Sequence, residues 1–137
     1  MFANCSLMGI SMGFPDVCLT PIPSPVGPIP VPLPYPNIAL LPTMLPPTTS
    51  IRHLLTMMPA HNIISMAPMT KGDQAGLMMG VMSGTIMGPS RNLMGSVRVF
   101  TGGTPSARWL GNTMQNLVNC PVGLNLVPSQ FRVMNLS

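Results

Sequence analysis

Pro28-Ile29-Pro30-Val31-Pro32-Leu33-Pro34-Tyr35-Pro36 is the stretch that decides the fold class. Every second residue is a proline, which lacks an amide donor and clashes with a preceding helical turn. The stretch is therefore neither a helix nor a central strand. An edge strand and a polyproline II arm remain, and nine residues of the second geometry would reach about 28 Å at roughly 3.1 Å each. Such a segment is stiff before it meets anything, so ordering it costs little entropy. It suits a rigid loop wrapped over the body and an arm laid on a neighbour equally well.

Prolines dominate the whole of residues 21–47, and the chain of 137 residues carries 18 prolines and 13 glycines. That approaches low complexity, yet 46% of the residues are hydrophobic, too many for a disordered chain. The two facts together predict one all-β domain over residues 1–137, made of short strands and Pro/Gly-rich loops with no long helix. Ile51–Met57, Ile63–Met66, Val97–Phe100 and Phe131–Met134 read as strands. Turn signals separate them at Lys71-Gly72-Asp73, Gly88-Pro89-Ser90, Thr101-Gly102-Gly103 and Val127-Pro128-Ser129. Gln74 to Ser90 is uncharged, with Gly76, Gly80, Gly84 and Gly88 four apart. That spacing suits packed membrane helices, but Ser83, Thr85 and modest apolarity favour bends between strands.

Charge is scarce: six Lys and Arg, two Asp and no Glu, or 6% of the chain, against about a quarter in ordinary soluble proteins. A partner is expected to cover part of such a surface. The cations (Arg52, Lys71, Arg91, Arg98, Arg108 and Arg132) are scattered singly, with no aromatic ladder between them, which argues against nucleic acid as a partner. The 15 methionines offer ligands for Cu(I), but they stand beside Leu, Ile and Gly and read as adaptable core fillers.

Asp16 and Asp73 are the only carboxylates and sit among turn residues. Cys18 or Cys120 with His53 or His61 would be the material for nucleophilic catalysis, but no nucleophile elbow or phosphate loop frames them, so no enzyme is expected. Cys5, Cys18 and Cys120 are too few and too scattered for a disulfide framework. With His53 and His61 they would suffice for one tetrahedral zinc, or they are buried small hydrophobes and loop polar groups. The N-terminus lacks the basic start of a secretory signal. Synthesis in the cytoplasm and export by another route are expected.

Met58-Pro59-Ala60-His61-Asn62 and Gly102-Gly103-Thr104-Pro105-Ser106-Ala107-Arg108 share a pattern, and the second is close to a Pro-Ala-Ala-Arg signature. Further stretches follow in order. They are Met1-Phe2-Ala3-Asn4, Gly13-Phe14-Pro15-Asp16-Val17-Cys18-Leu19-Thr20-Pro21, and Pro34-Tyr35-Pro36-Asn37-Ile38-Ala39. After them come Met87-Gly88-Pro89-Ser90-Arg91, Thr113-Met114-Gln115-Asn116, Asn119-Cys120-Pro121 and Pro128-Ser129-Gln130. Over nearly its whole length the chain resembles the PAAR-like family of spike-tip proteins.

The resemblance implies a short conical β body on the blunt end of the trimeric spike of a type VI secretion system or related contractile injection system. It implies a structural zinc ion held by Cys18, His61 and Cys120, with His53 as the fourth ligand or Cys5 in its place. Asn92 stands after Arg91 where relatives carry a histidine, and Ser106 stands where the signature has alanine. A monomer docking on a trimer must imitate three-fold symmetry, so an uncharged apolar base is expected, with the two Pro-Ala-type turns as its internal echoes. The alternative role is an N-terminal adaptor for a longer toxin effector, and toxin effectors are then further partners.

Overall fold

The computed structural model describes residues 1–136; Ser137, the last residue of the expected domain, lies outside them. The fold is all-β. Its strands are β1 (Ile10–Ile22), β2 (Ile29–Leu40), β3 (Ser50–Leu55), β4 (Met58–Ala60), β5 (Met66–Ala67), β6 (Ser90–Asn92), β7 (Gly95–Thr101), β8 (Thr104–Ala107), β9 (Asn112–Gln115) and β10 (Cys120–Val127). Helical structure among the described residues is confined to two proline-led 3-10 turns, Leu41–Thr43 and Pro46–Thr48.

The alternating prolines lie in β2, at the edge of a six-stranded sheet ordered β2-β1-β10-β9-β6-β5. In an antiparallel ladder, alternate residues turn both backbone polar groups to the same neighbour. On β1, Val17 and Leu19 bond to Val81, Met78 and Met79, away from β2. Asp16, Cys18 and Thr20 therefore face β2, opposite Tyr35, Leu33 and Val31. Pro30, Pro32 and Pro34 then turn their missing donors to the open side, so this half of β2 is an edge strand that resists further pairing.

Two hairpins stand apart from this sheet, β3 with β4 and β7 with β8. Each turns over two left-handed residues, Thr56-Met57 (φ 51° and 65°) and Gly102-Gly103 (φ 67° and 84°), the turn that follows natural strand twist. Two of the four expected strands are thus β3 and β7. At Ile63–Met66 the Asn62 Oδ1 accepts the amides of Ile64 and Ser65 (both 3.0 Å), so the chain turns and becomes strand only at Met66. At Phe131–Met134 the Gln130 Oε1 takes the amides of Arg132 (2.7 Å) and Val133 (2.8 Å). A single bridge remains there, between Met134 and Phe2.

Three segments far apart in sequence close a ring. The Asn4 amide donates to the Ala107 carbonyl (3.1 Å), that of Ala107 to His61 (2.9 Å), and that of His61 back to Asn4 (2.9 Å). Two residues on, the pattern repeats: Ser6 donates to Pro59 (3.1 Å), Ile63 to Pro105 (3.1 Å) and Trp109 to Phe2 (2.8 Å). Between these rows Cys5 bridges Ala60, Asn62 bridges Ser106 and Arg108 bridges Ala3. Residues 2–6, 59–63 and 105–109 are thus equivalent around one axis inside a single chain. The two Pro-Ala-type stretches, expected as turns, are strands of this junction, and Phe2-Ala3-Asn4 is the third.

The interior is mostly polar. The apolar core is Ala39, Leu41, Met44 and Ala67, whereas Asn, Ser, Thr, Asp and Gln side chains fill most buried positions. The methionines are not core fillers: nine of the 15 are exposed and Met44 alone is buried. Short strands and loops leave many backbone groups to satisfy internally, and small amides and hydroxyls do so. Long thioether chains are left outside. The segment 74–90 forms turns, and among the described residues no helix is long and apolar enough to cross a membrane.

His61 reports on the ring. It is fully buried, its Nε2 is 2.9 Å from Ser6 Oγ, and burial pushes its pKa down from 6.5 to about 4. The unfolded chain takes up a proton below about pH 6.5, while the folded one resists until about pH 4. Stability is therefore lost as pH falls through that window, by an amount of the order of 3 kcal/mol. Urea melts of wild type and His61→Asn at pH 7, 5.5 and 4.5 should show the acid-induced loss shrinking by about that amount in the variant. Asparagine already stands at the equivalent position, Asn4. An unchanged pH slope would contradict the burial.

Candidate functional site

The three loops that leave the ring, residues 7–49, 64–94 and 110–129, each send polar side chains to one buried cluster. Among the described residues, one group of His, Cys, Asp or Glu brings at least three ligand atoms within 4.8 Å of one another: Asp16, Cys18 and Asp73, all buried. Asp16 and Cys18 come from β1, and Asp73 opens a turn, its carbonyl accepting the Gly76 amide (2.9 Å). The third loop contributes Asn116 and Asn119.

Amide donors converge on both carboxylates. Asn37 Nδ2 donates to Asp16 Oδ2 (2.6 Å), and Asn119 Nδ2 bonds Asp16 Oδ1. Asp73 Oδ2 accepts Asn116 Nδ2 (2.9 Å) and the Met87 amide (3.0 Å). The side-chain oxygens of Asn116 and Asn119 are engaged elsewhere. Asn116 Oδ1 accepts from Thr85 Oγ1 and Gly88 N (both 2.9 Å), and Asn119 Oδ1 from Met82 N (2.9 Å). Both NH2 groups are thereby fixed toward the acids. The Cys18 thiol lies between the carboxylates, 3.7 Å from Asp16 Oδ1 and 3.9 Å from Asp73 Oδ2.

Burial, then the neighbouring Asp16 and Asp73, push the Cys18 pKa up to about 12, so the thiol is a neutral donor in this arrangement. Asp73 is also raised, chiefly by burial, and its Oδ1 is buried with no hydrogen-bond partner. Two buried carboxyls, a thiol and an orphaned carboxylate oxygen make a donor set that fits a divalent cation, which would displace the thiol proton.

The spaced glycines of residues 74–90 explain how the second loop lies on this cluster. A Cβ on Gly76 would overlap Cys18 Cβ, one on Gly80 would come within 2.7 Å of Asn119 Cγ, and one on Gly88 within 2.6 Å of Asn116 Oδ1. Gly84 faces open space. The four-residue spacing thus serves close approach to the site rather than helix packing.

The expected ligands are not gathered together: of Cys18, His61, Cys120, His53 and Cys5, the cluster contains Cys18 alone. His61 belongs to the ring with Ser6. His53 is exposed on β3, its Nδ1 2.8 Å from Ser50 Oγ. Cys120 starts β10, its thiol 3.6 Å from the Val122 carbonyl, and its pKa is raised by burial and then by Asp16. Cys5 Sγ is 3.9 Å from Thr56 Oγ1. Asp16, expected in a turn, lies within β1. The available signal is that Asp16 and Asp73 are the chain's only two acidic side chains.

Gly76→Ala should cost about 3 kcal/mol or more, because the new methyl group meets Cys18 at its rigid base. Gly84→Ala, left-handed (φ 61°) but unobstructed, should cost only about 1 kcal/mol. Urea melts compare the two, and equal costs would mean that the loop does not sit against Cys18.

No curated protein and no solved structure matches the chain. A family model does: the toxin PAAR-like domain matches residues 9–122, from the start of β1 into β10, and so takes in all three segments that build the cluster. The chain belongs to the Tox-PAAR-like family.

Proposed function

We propose that this chain is the tip that caps and sharpens the trimeric spike of a type VI secretion system or a related contractile injection machine. The observation that carries the reading is the ring at Asn4, His61 and Ala107. A single chain can sit in register on the end of a trimer when its own face repeats three times about one axis. Family membership supports a spike or effector-associated role. The many exposed Leu, Ile, Val, Met and Phe side chains support a protein partner on the surface.

In this reading the tip resists deformation and performs no turnover. It is made in the cytoplasm and leaves on the spike. A divalent ion, zinc by family analogy, would be held by Asp16, Cys18 and Asp73. It would offset two buried negative charges and tie the first loop to the second. A second reading is favoured by the toxin in the family's description: the same domain serves as the adaptor of a longer effector, which is then the cargo.

Native mass spectrometry of the chain mixed with a trimeric spike protein should give one copy per three spike subunits. Three copies per trimer, or no complex at micromolar concentrations, would sink the proposal. Elemental analysis should find about one divalent ion per chain. Cys18→Ser and Asp73→Asn should lose it and melt several degrees lower, while His53→Ala and Cys120→Ser keep it. Retention of the ion by Cys18→Ser would remove the cluster as its site.

A further inference from the structure

The three-fold repeat extends beyond the ring. Each ring strand pairs with an outer strand: Pro59 with Leu54, Pro105 with Phe100, and Phe2 with Met134. Counting back four residues from each outer partner aligns Ser50-Ile51-Arg52-His53-Leu54, Ser96-Val97-Arg98-Val99-Phe100 and Gln130-Phe131-Arg132-Val133-Met134.

Local bonding obeys the same alignment. The first side chain of each arm bonds three residues on: Ser50 Oγ with His53 Nδ1 (2.8 Å), Ser96 Oγ with the Val99 amide (3.1 Å), and Gln130 Oε1 with the Val133 amide (2.8 Å). Exposure agrees as well. Ile51, Val97 and Phe131 are 66–81% exposed, and Leu54, Phe100 and Met134 are 54–60% exposed. Each arm thus offers an apolar residue, an exposed arginine, and a second apolar residue two positions on. Arg52, Arg98 and Arg132, scattered in sequence, are half of the chain's six Lys and Arg. The two carboxylates, Asp16 and Asp73, are buried elsewhere, so neither is available to neutralise these arms.

We propose that Arg52, Arg98 and Arg132 form a three-fold docking array. Its partner is a homotrimeric protein end that presents one carboxylate per subunit within an apolar frame. The inference rests on the spike-tip reading and replaces an uncharged base with one that carries a cation on every arm. Apolar side chains flanking each arginine exclude water, which strengthens a guanidinium–carboxylate pair, and the bidentate fork sets rotational register. A three-fold charge pattern also disfavours docking at intermediate rotations.

The test is affinity of the full chain for a trimeric spike protein, measured at 50 and 300 mM NaCl with Arg52→Gln, Arg98→Gln and Arg132→Gln, singly and together. Melting temperatures verify that these exposed substitutions leave the fold intact. Each single change should weaken binding about three- to tenfold, by similar factors, and the triple variant should lose most of the salt dependence. Arginine-to-lysine variants should recover part of the affinity. Wild-type binding with silent glutamine variants, or with one arm carrying the whole effect, overturns the array but leaves the spike-tip reading standing. No wild-type binding removes the spike-tip reading itself. Equal arginine-dependent binding to heparin or to vesicles of phosphatidylserine would assign the array to a polyanion and overturn the proposed partner.

Discussion

The backbone ring joining Asn4, His61 and Ala107 is the constraint on which the molecule depends. Its three strands are separated by dozens of residues, so closing it fixes where three long loops begin and end. Each bond is an ordinary amide–carbonyl contact, modest in net stability. Their arrangement matters more than their strength, because no strand of the junction can shift register without breaking bonds to two others. With little apolar core beneath them, these strands are held mainly by such pairing and by buried amides.

The loops have a common destination. One carries Asp16, Cys18 and Asn37, the next Asp73, Thr85 and Met87, and the last Asn116 and Asn119; all converge on the same few ångströms. Left-handed backbone at Asn116 (φ 49°), a conformation asparagine tolerates better than most residues, accompanies the orientation of its amide toward Asp73. Ring and cluster thus tie the chain together at two places. A chain with a thin core gains order by linking distant segments with directional bonds, each of which requires a particular partner.

The same scheme accounts for the unusual surface. When amides and hydroxyls take the interior, the abundant Met, Leu, Ile and Val have nowhere to go but outside. Apolar exposure on this scale is costly for a free protein and suits one that spends its working life against another. In the proposed docking array, arginines at equivalent points of three arms would give such a contact direction, where hydrophobic area alone would give adhesion without register.

The sequence by itself determined the all-β class, through prolines that forbid helix, and it excluded a central strand at residues 28–36, leaving an edge strand or a polyproline II arm between which the sheet order decided. It also carried the family, in short motifs spread over most of the chain. Tertiary structure alone decided the three-fold junction and the cluster. Pro59-Ala60-His61 and Pro105-Ser106-Ala107 share a proline followed by a small residue, whereas Phe2-Ala3-Asn4 lacks the proline; the equivalence of all three lies in their backbone bonds. Asp16 and Asp73 stand 57 positions apart, and only the return of the second loop onto β1, allowed by Gly76 and Gly80, brings them to one thiol. Spacing along the chain cannot report a meeting made by close approach between loops, and for that reason the cysteines and histidines looked like a set while the acids looked like turns.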